Sequence, residues 1–411
     1  MDLDWLIVGG GIHGVHIAVR LVDDGGVDPE RLCIVDPAPR LLARWRERAR
    51  VTGMSYLRSP LMHHIDTDPY SLARFASEPD DWPTPLFTPP NGRPALRLFD
   101  AHCDNVIDRR GLGGRHVRAR ACGIDVDTEG VGVQLESGAN LRAAKVVLAI
   151  GAEGQPAWPS WAAKGRRGVE HVFDANLEAW GPTARSVAVV GGGITAAQIG
   201  LRLARDGHRV SLVSRHPMRV HQYDSDPGWF GPKFMSGFER IRDLHARRRT
   251  ITEGRHRGSM PPDVVTALQD AVRAGEVTTH ESEVERLEDE GGRLRLSLSS
   301  GESVDVDEVL LATGVSPERP GGAMVDRLIA EASLPCAPCG YPVLDDALRW
   351  HPRIQVSGPL AELTIGPVAR NIAGARRAAE RIVASLPGTA RQVGQQGGPS
   401  LRTDVRVESR A

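Results

Sequence analysis

An α/β fold, with one strand–turn–helix domain inserted into another, is the class that this 411-residue sequence predicts. Three observations carry it. The apolar run Leu6-Ile7-Val8 ends in Gly9-Gly10-Gly11-Ile12-His13-Gly14, and a helical pattern follows through Val15, Val19 and Val22. The same pattern restarts at Ser186-Val187-Ala188-Val189-Val190, with Gly191-Gly192-Gly193-Ile194-Thr195-Ala196 as its turn. Each half then closes on a hydrophobic strand ending in glycine, Val146 to Gly151 and Val309 to Gly314, and a C-terminal segment is left over that belongs to neither start.

In chain order, Asp4–Val8 reads as a strand, Leu32–Asp36 as a second strand, and residues 37–95, rich in proline and aromatics, as an irregular region. Residues 96–110 read as a helix, and 115–151 alternate like antiparallel strands. A Pro- and Trp-rich linker covers 154–183. In the second half, Arg209–Val213 is the next strand, 262–274 a helix, 293–306 a hairpin, 340–358 short strands, and 366–385 a last amphipathic helix. The expected division is therefore 1–183 for the first domain, 184–308 for the insertion, 309–386 for the return to the first domain, and 387–411 for a disordered tail.

Bulk properties narrow the function classes. A net charge of −1 gives no basic field for nucleic acid or an anionic membrane. No apolar run reaches the 18 residues of a membrane span, and no basic leader precedes the first strand, so the cytoplasm is the expected compartment. Five cysteines do not read as a disulfide framework.

The chemistry is carried by the two glycine turns. A lone G-x-G-x-x-G is weak evidence in a chain with 45 glycines, but here it sits between a buried strand and a helix. Gly9 permits the tight turn, Gly11 lets a pyrophosphate approach the backbone, and Gly14 lets helix and strand pack closely. The helix N-terminus then offers free N–H groups to the phosphates. Asp36, ending the second strand, is placed to accept from a ribose with free hydroxyls, as in FAD or NAD. In the second turn, Gly191, Gly193 and Ala196 take the three places, and the following strand ends in Ser214-Arg215. A carboxylate there would repel a 2′-phosphate, whereas a hydroxyl and a guanidinium bind it, which favours NADPH. The reading is a FAD-binding Rossmann-like domain with an inserted NADPH-binding Rossmann-like domain, and hydride transfer between the two cofactors.

With both turns in place, the chain resembles the flavoproteins with two dinucleotide-binding domains over residues 1 to about 385. The similarity includes Leu311-Ala312-Thr313-Gly314, the turn at Val356-Ser357-Gly358-Pro359 and the segment Gly366-Pro367-Val368-Ala369. Within that group it looks most like the monooxygenases that N-hydroxylate lysine or ornithine side chains. Ser55-Tyr56-Leu57-Arg58-Ser59-Pro60 and Asp68-Pro69-Tyr70-Ser71-Leu72 carry this likeness, and Trp45 stands where the family has a tryptophan near the flavin. The resemblance implies that Trp45, Gly151, Thr195, Thr313, Gly314, Gly358, Gly366 and Pro367 join the cofactor-binding set. It places the family's substrate-binding lysine at Arg58. His63 and His64, in the irregular region expected to border the flavin, read as loop histidines packed or solvated, or else as partners of the flavin or substrate. It also implies that reduced flavin adds O2 to give a C4a-hydroperoxide, whose distal oxygen is attacked by a small nucleophile, in water-poor surroundings. The sequence departs from the family at Trp45-Arg46, Gly53, Arg58 and Asp226–Pro232. Partners are then a small-molecule substrate and O2; a homo-oligomer is compatible with the pattern.

Other features are weaker. Cys336-Ala337-Pro338-Cys339 suggests a thiol or disulfide reductase as the rival enzyme, but its place before a strand reads as a structural loop. A nucleotide-binding redox sensor is the non-enzyme alternative. Arg247-Arg248-Arg249 and Arg255-His256-Arg257 read as a solvated helix face and loop, or else as a lining for NADPH phosphates. His171 reads as packed between domains or near a cofactor. No ligand set has metal spacing. If Ser214-Arg215 reads a 2′-phosphate, Arg215→Ala weakens NADPH roughly tenfold or more while leaving NADH nearly unchanged; titration of both nucleotides checks this, and equal losses refute it.

Overall fold

The computed structural model describes residues 3–387, apart from 79–81, 83–84, 90–91, 153 and 181–182. The expected tail falls, from residue 388 on, outside the described residues. Two sheets organise the chain. The first runs Arg349–His351, Ile354–Val356, Asn140–Leu148, Leu3–Val8, Leu32–Asp36 and His116–Arg118, with Ala121–Val126 and Val131–Leu135 forming a meander against Asn140–Leu148. The second runs Val277–Glu281, Arg209–Ser214, Ser186–Val190, Glu308–Leu311 and Val169–His171. All pairings in this second sheet are parallel.

The parallel strands are apolar because both faces are covered. Leu6, Ile7, Ile34, Val146, Val147 and Leu148 have no exposed surface, nor do Val187, Val189, Leu310 and Leu311. Each such side chain contributes on the order of 1.5–3 kcal/mol through burial. Helix Ile12–Asp23 buries Val15, Ile17, Ala18, Val19 and Leu21, and packs along the last helix, Ile372–Ala384. Among the described residues, no helix is long and apolar enough to cross a membrane.

The structure revises several boundaries. Strand Glu308–Leu311 pairs with Ser186–Val190 on one side and Val169–His171 on the other, so it lies in the second sheet, not in a return segment starting at 309. By the same pairing, the second unit begins before residue 184. His116–Arg118, expected within an antiparallel set, pairs parallel with Leu32–Asp36. The last helix starts at Ile372, not 366, because residues 367–370 form a separate 3-10 turn after Gly366 at φ 87°. Helices Pro232–Arg240 and Leu244–Glu253, inside the range expected for the insertion, pack elsewhere. Trp229, Met235, Phe238 and Ile251 share a core with Leu360, Ile365 and Val368.

The region 37–95 contains helices Ala43–Thr52 and Ser71–Ser77 and is held by buried charge. Asp66 accepts from Arg109 (2.9 Å), Arg110 (2.7 Å) and the Thr67 N–H (2.9 Å). Arg376, from the last helix, donates to the carbonyls of His64 (3.2 Å), Asp66 (2.7 Å) and Thr67 (3.2 Å). Burial opposes ionisation of Asp66, but Arg110, Ser71, Thr67 and Arg109 outweigh it and bring its pKa down to about 2. A depressed folded pKa contributes stability above the unfolded value near 3.8 and loses it as pH falls toward 2. Asp66→Asn is therefore expected to cost about 2 kcal/mol at neutral pH, with the difference from the parent chain closing between pH 4 and 2; denaturant melts across that range test it.

Candidate functional site

The two glycine turns repeat one construction. Gly9 N–H donates to Val35 O (2.8 Å) and Gly191 N–H to Val213 O (2.9 Å). A Cβ on Gly9 would stand 2.4 Å from Ala149 O, and one on Gly191 2.5 Å from Ala312 O. Gly9 also has φ 116°, open to glycine alone at low cost. A Cβ on Gly14 would stand 1.8 Å from Gly9 O, so the helix can lie against the turn only with glycine there. In the second turn Ala196 takes this place and is fully buried.

The middle glycines differ from the outer ones and from each other. Nothing lies within 4 Å of a Cβ on Gly11. Gly11 is also the extended N-cap of helix Ile12–Asp23 and has no side chain to occupy the first N–H groups. The turn is thus an open cradle of backbone donors, which fits a pyrophosphate. Asp36 lies next to it, accepting from Gly10 N–H (2.7 Å) and Ala38 N–H (2.8 Å). Those bonds fix the carboxylate at the end of its strand, the position from which a ribose is met.

Sheet order gives the cradle a direction. Strand Leu32–Asp36 flanks Leu3–Val8 on one side, and Asn140–Leu148 and Ile354–Val356 flank it on the other. These strands are parallel, so their C-terminal ends line one edge. Gly151 and Ser357-Gly358 follow the ends of the strands on the flank away from Asp36. There the sequence reading missed His13, whose Nδ1 lies 2.8 Å from Ser357 Oγ and whose imidazole lies beside Gly358. Burial pushes the His13 pKa down to about 4, against the Asn371 backbone, so the ring is neutral. Its place inside the first fingerprint is the signal that could have found it. Trp45, on helix Ala43–Thr52, rests on Phe99 with ring centroids 5.1 Å apart.

The second turn is less open. A Cβ on Gly193 would meet Gly258 Cα at 3.4 Å, and the His216 ring lies against both Gly192 and Gly258. Thr195 follows on helix Ile194–Arg205. Ser214 donates its hydroxyl to His216 O (2.8 Å). Arg215 is 74% exposed, with Glu283 no closer than 3.9 Å. On the far side of the sheet edge, Thr313 donates to Ala157 O (2.5 Å), and Gly314 has φ 82°.

Arg58 is not placed as expected. Its Nε donates to Gln222 O (3.2 Å), Nη1 to Ser259 O (3.3 Å), and Nη2 to His221 O (2.7 Å), Tyr223 O (2.8 Å) and Ser259 Oγ (2.9 Å). A first-domain guanidinium thus straps down the 221–223 and 259 backbone instead of standing free for a substrate. His64 is also engaged, with Nδ1 accepting from Asp66 N–H (3.2 Å) and Nε2 facing Pro69 O (3.1 Å). His63 packs edge-on against Phe230 (5.0 Å), and burial lowers it to about 4. Gly366 and Pro367 meet the same region, since a Cβ on Gly366 would touch Met235 Sδ and Phe238, and Pro367 abuts Gly254. Loops from residues 58–64, 221–230, 254–259 and 366–371 therefore converge.

Two residues at that convergence were not singled out as substrate contacts. Asp224 accepts from Asn371 Nδ2 (3.3 Å), and Arg255 Nη2 lies 3.7 Å from its other oxygen. Cys336 and Cys339 are exposed thiols on a turn closed by Ala337 N–H to Tyr341 O (2.8 Å), and Arg248 reaches Cys339 Sγ (3.6 Å) while pairing with Glu362. His171 is buried against Trp158 and Phe173. A separate groove of about 580 Å³ is lined by Tyr56, Arg93, Gln198, Leu201 and Asp263, and no residue of either turn lines it. Among the described residues no group of three His, Cys, Asp or Glu could hold a metal ion.

Residues 6–153 and 262–316 match a family model described as FAD-NAD(P)-binding. No curated protein sequence matches the chain. Among solved structures, the chain resembles the FAD-bound cadaverine monooxygenase of desferrioxamine biosynthesis from Erwinia amylovora, at 16% identity and TM-score 0.72, over 93% of this chain and 94% of that one. It resembles the ornithine N-hydroxylase of Kutzneria sp. 744, with reduced FAD, NADP+ and L-ornithine, at 17% identity and TM-score 0.72, over 94% and 99%. The bacillithiol disulfide reductase of Bacillus cereus follows at 17% identity and TM-score 0.57, over 93% and 98%. The chain shares the overall fold of these FAD-dependent monooxygenases and of the disulfide reductase.

The open cradle separates Gly11 from its neighbours. Gly11→Ala is expected to leave the cofactor-free protein within about 0.5 kcal/mol of the parent, yet to weaken FAD tenfold or more. Gly14→Ala should instead damage the fold itself. Thermal melts of the cofactor-free proteins and a flavin-fluorescence titration distinguish the two; loss of stability in both variants would refute the assignment.

Proposed function

We propose that this chain is an NADPH-dependent FAD monooxygenase that oxygenates a small nucleophile, most simply the nitrogen of an amine or amino acid. The observation that carries this is the open Gly11 cradle beside Asp36, in a chain that shares its fold with N-hydroxylases over 93–94% of its length. When bound, FAD and NADPH supply the hydride and oxygen chemistry; the protein supplies the following parts.

Gly11 and the helix that starts there hold the pyrophosphate, Asp36 holds the adenosine ribose, and Ser357 with His13 borders the flavin half. Arg215 holds the 2′-phosphate of NADPH at the second turn, while Ser214, whose hydroxyl donates to His216 O, shapes the strand end beside it. Gly258, at φ 67°, faces the middle of that turn without a side chain that would obstruct a pyrophosphate there. Arg58 keeps the second unit's 221–223 and 259 backbone over the first domain. Trp229, Phe230 and Pro367 then wall the convergence with apolar surface, which limits water there. His63, neutral at physiological pH, adds no charge to that wall.

A thiol or disulfide reductase is the second reading, favoured by the exposed Cys336 and Cys339 pair. An amine and amino-acid panel, scored for hydroxylated product against NADPH consumed, tests both. The monooxygenase reading expects a ratio near one for at least one amine. NADPH consumption that yields only H2O2 with every amine overturns it, and anaerobic consumption that depends on a disulfide and disappears in Cys339→Ser establishes the reductase instead.

A further inference from the structure

Two of the five cysteines stand apart from the others. Cys33 and Cys103 are buried and Cys122 is half-buried, whereas Cys336 and Cys339 are exposed free thiols. A tight hairpin sets their spacing. Cys336 bridges Pro342, Ala337 N–H donates to Tyr341 O (2.8 Å), and Gly340 N–H donates to Ala337 O (2.8 Å). Pro338 and Cys339 thus take the two central places of the turn, and Gly340, at φ 78°, lets the chain return. Ala337 and Tyr341 are buried in the core, which leaves the two thiols on the outer face. The sulfurs are within electrostatic reach of each other, and their spacing is the one that Cys-x-x-Cys disulfides close. Nothing lies within 4 Å of a Cβ at Gly340, so the tip has room to adjust.

Beneath the hairpin lies a buried ion cluster. Glu362, 2% exposed, takes Arg248 on one carboxylate oxygen and Arg370 Nε (2.7 Å) on the other. Burial opposes its charge, but the two guanidiniums outweigh that and hold its carboxyl below the usual range. Arg248 also lies over the Tyr341 ring at 4.0 Å and donates to Cys339 Sγ (3.6 Å). It therefore joins the thiol outside to the carboxylate inside. Arg370 donates to Tyr341 Oη (3.0 Å) and ends the turn 367–370. The next residue, Asn371, caps the last helix by accepting from Gly374 N–H (3.0 Å), and its backbone meets the His13 imidazole beside Gly358. A path of direct contacts thus runs from Cys339 to the border of the flavin half.

We propose that Cys336 and Cys339 close a reversible disulfide on exposure to hydrogen peroxide, and that its closure weakens FAD retention through Arg248. The Cys339 sulfur attacks one peroxide oxygen, the O–O bond breaks, and water leaves as the sulfur becomes a sulfenic acid. The Cys336 sulfur then displaces that hydroxyl as a second water. Two thiols and one peroxide yield one disulfide and two waters; the sulfurs are oxidised and the peroxide is reduced. A Cys339 sulfur turned toward Cys336 no longer accepts from Arg248, and the guanidinium shifts on Glu362 and Tyr341. Disturbing one partner of a buried ion pair is costly, so the change reaches Arg370 and the segment that it holds. Hydrogen peroxide is also what flavin oxidation releases when no substrate intercepts it. That source rests on the monooxygenase reading, whereas the disulfide and its effect on FAD do not.

The test compares the full FAD-loaded chain with Cys339→Ser, an exposed substitution that keeps an oxygen able to accept from Arg248. After a stoichiometric peroxide pulse, peptide mapping without reductant should find residues 336 and 339 linked in the parent, and dithiothreitol should erase the link. The Kd for FAD, read by flavin fluorescence, should rise about fivefold or more in the oxidised parent and return on reduction, while Cys339→Ser stays within about twofold throughout. Thiols that remain unlinked, or that carry only sulfinic acid, overturn the inference. A linked parent that binds FAD like the reduced one also overturns it, as does a Cys339→Ser chain that loses FAD as the parent does. Anaerobic NADPH that reduces the link within one turnover overturns it by making the pair an electron acceptor, which is the reductase reading. Failure of the monooxygenase reading shows separately, as an amine panel without product, and leaves the mapping and FAD readouts to decide the disulfide.

Discussion

The contact between Gly14 and the Gly9 carbonyl is the constraint on which the first site depends. Because no side chain intervenes, helix Ile12–Asp23 can begin directly over the end of Leu3–Val8. That brings its unsatisfied N–H groups to the sheet edge and leaves Gly11 facing open space. The same strand ends then define everything else around the cradle, with Asp36 on one flank and Ser357-Gly358 on the other. The second unit repeats the first-glycine geometry, down to the carbonyl that glycine faces, but it has Ala196 in the third place and Gly258 in contact range of its middle glycine. One construction therefore yields an open cradle in one unit and a guarded one in the other.

The parts of this fold that could be read from sequence are those governed by local rules. Glycine spacing after a buried strand, strand ends at Asp36 and Ser214, and helix 262–274 depend on neighbours in the chain, and they are found where the pattern puts them. The failures are long-range. Strand Glu308–Leu311 is apolar whichever sheet receives it, so its hydrophobicity could not say that it pairs with Ser186–Val190. Trp229, and Met235 and Phe238 on the helix after it, likewise do not reveal in sequence that their core partners are Leu360, Ile365 and Val368. At the site, similarity to a lysine position suggested a free cation at Arg58. Only the fold shows that carbonyls 163 to 201 residues away consume its donors. Arg255 was visible as part of a basic run, but a run of charges is usually solvated, and its burial comes from the C-terminal segment meeting Gly254.

The segment 254–260 unites these observations. It carries Gly258 against the second turn, Arg255 into the convergence, and Ser259 under Arg58. It also runs beside Arg219–Val220 as a short parallel pair. The second turn, the convergence and the Arg58 strap therefore all meet on the same seven residues.

Of the five groups that accept from Arg58, four are main-chain carbonyls, and a carbonyl is offered by every amino acid. The side chains at His221, Gln222 and Tyr223 can therefore drift in identity without weakening the strap, whereas the residue at 58 cannot change at all without releasing it. Divergence between related chains should be permissive on one side of this contact and strict on the other. A comparison of sequences that weighed both sides equally would mistake a firm joint for a variable loop.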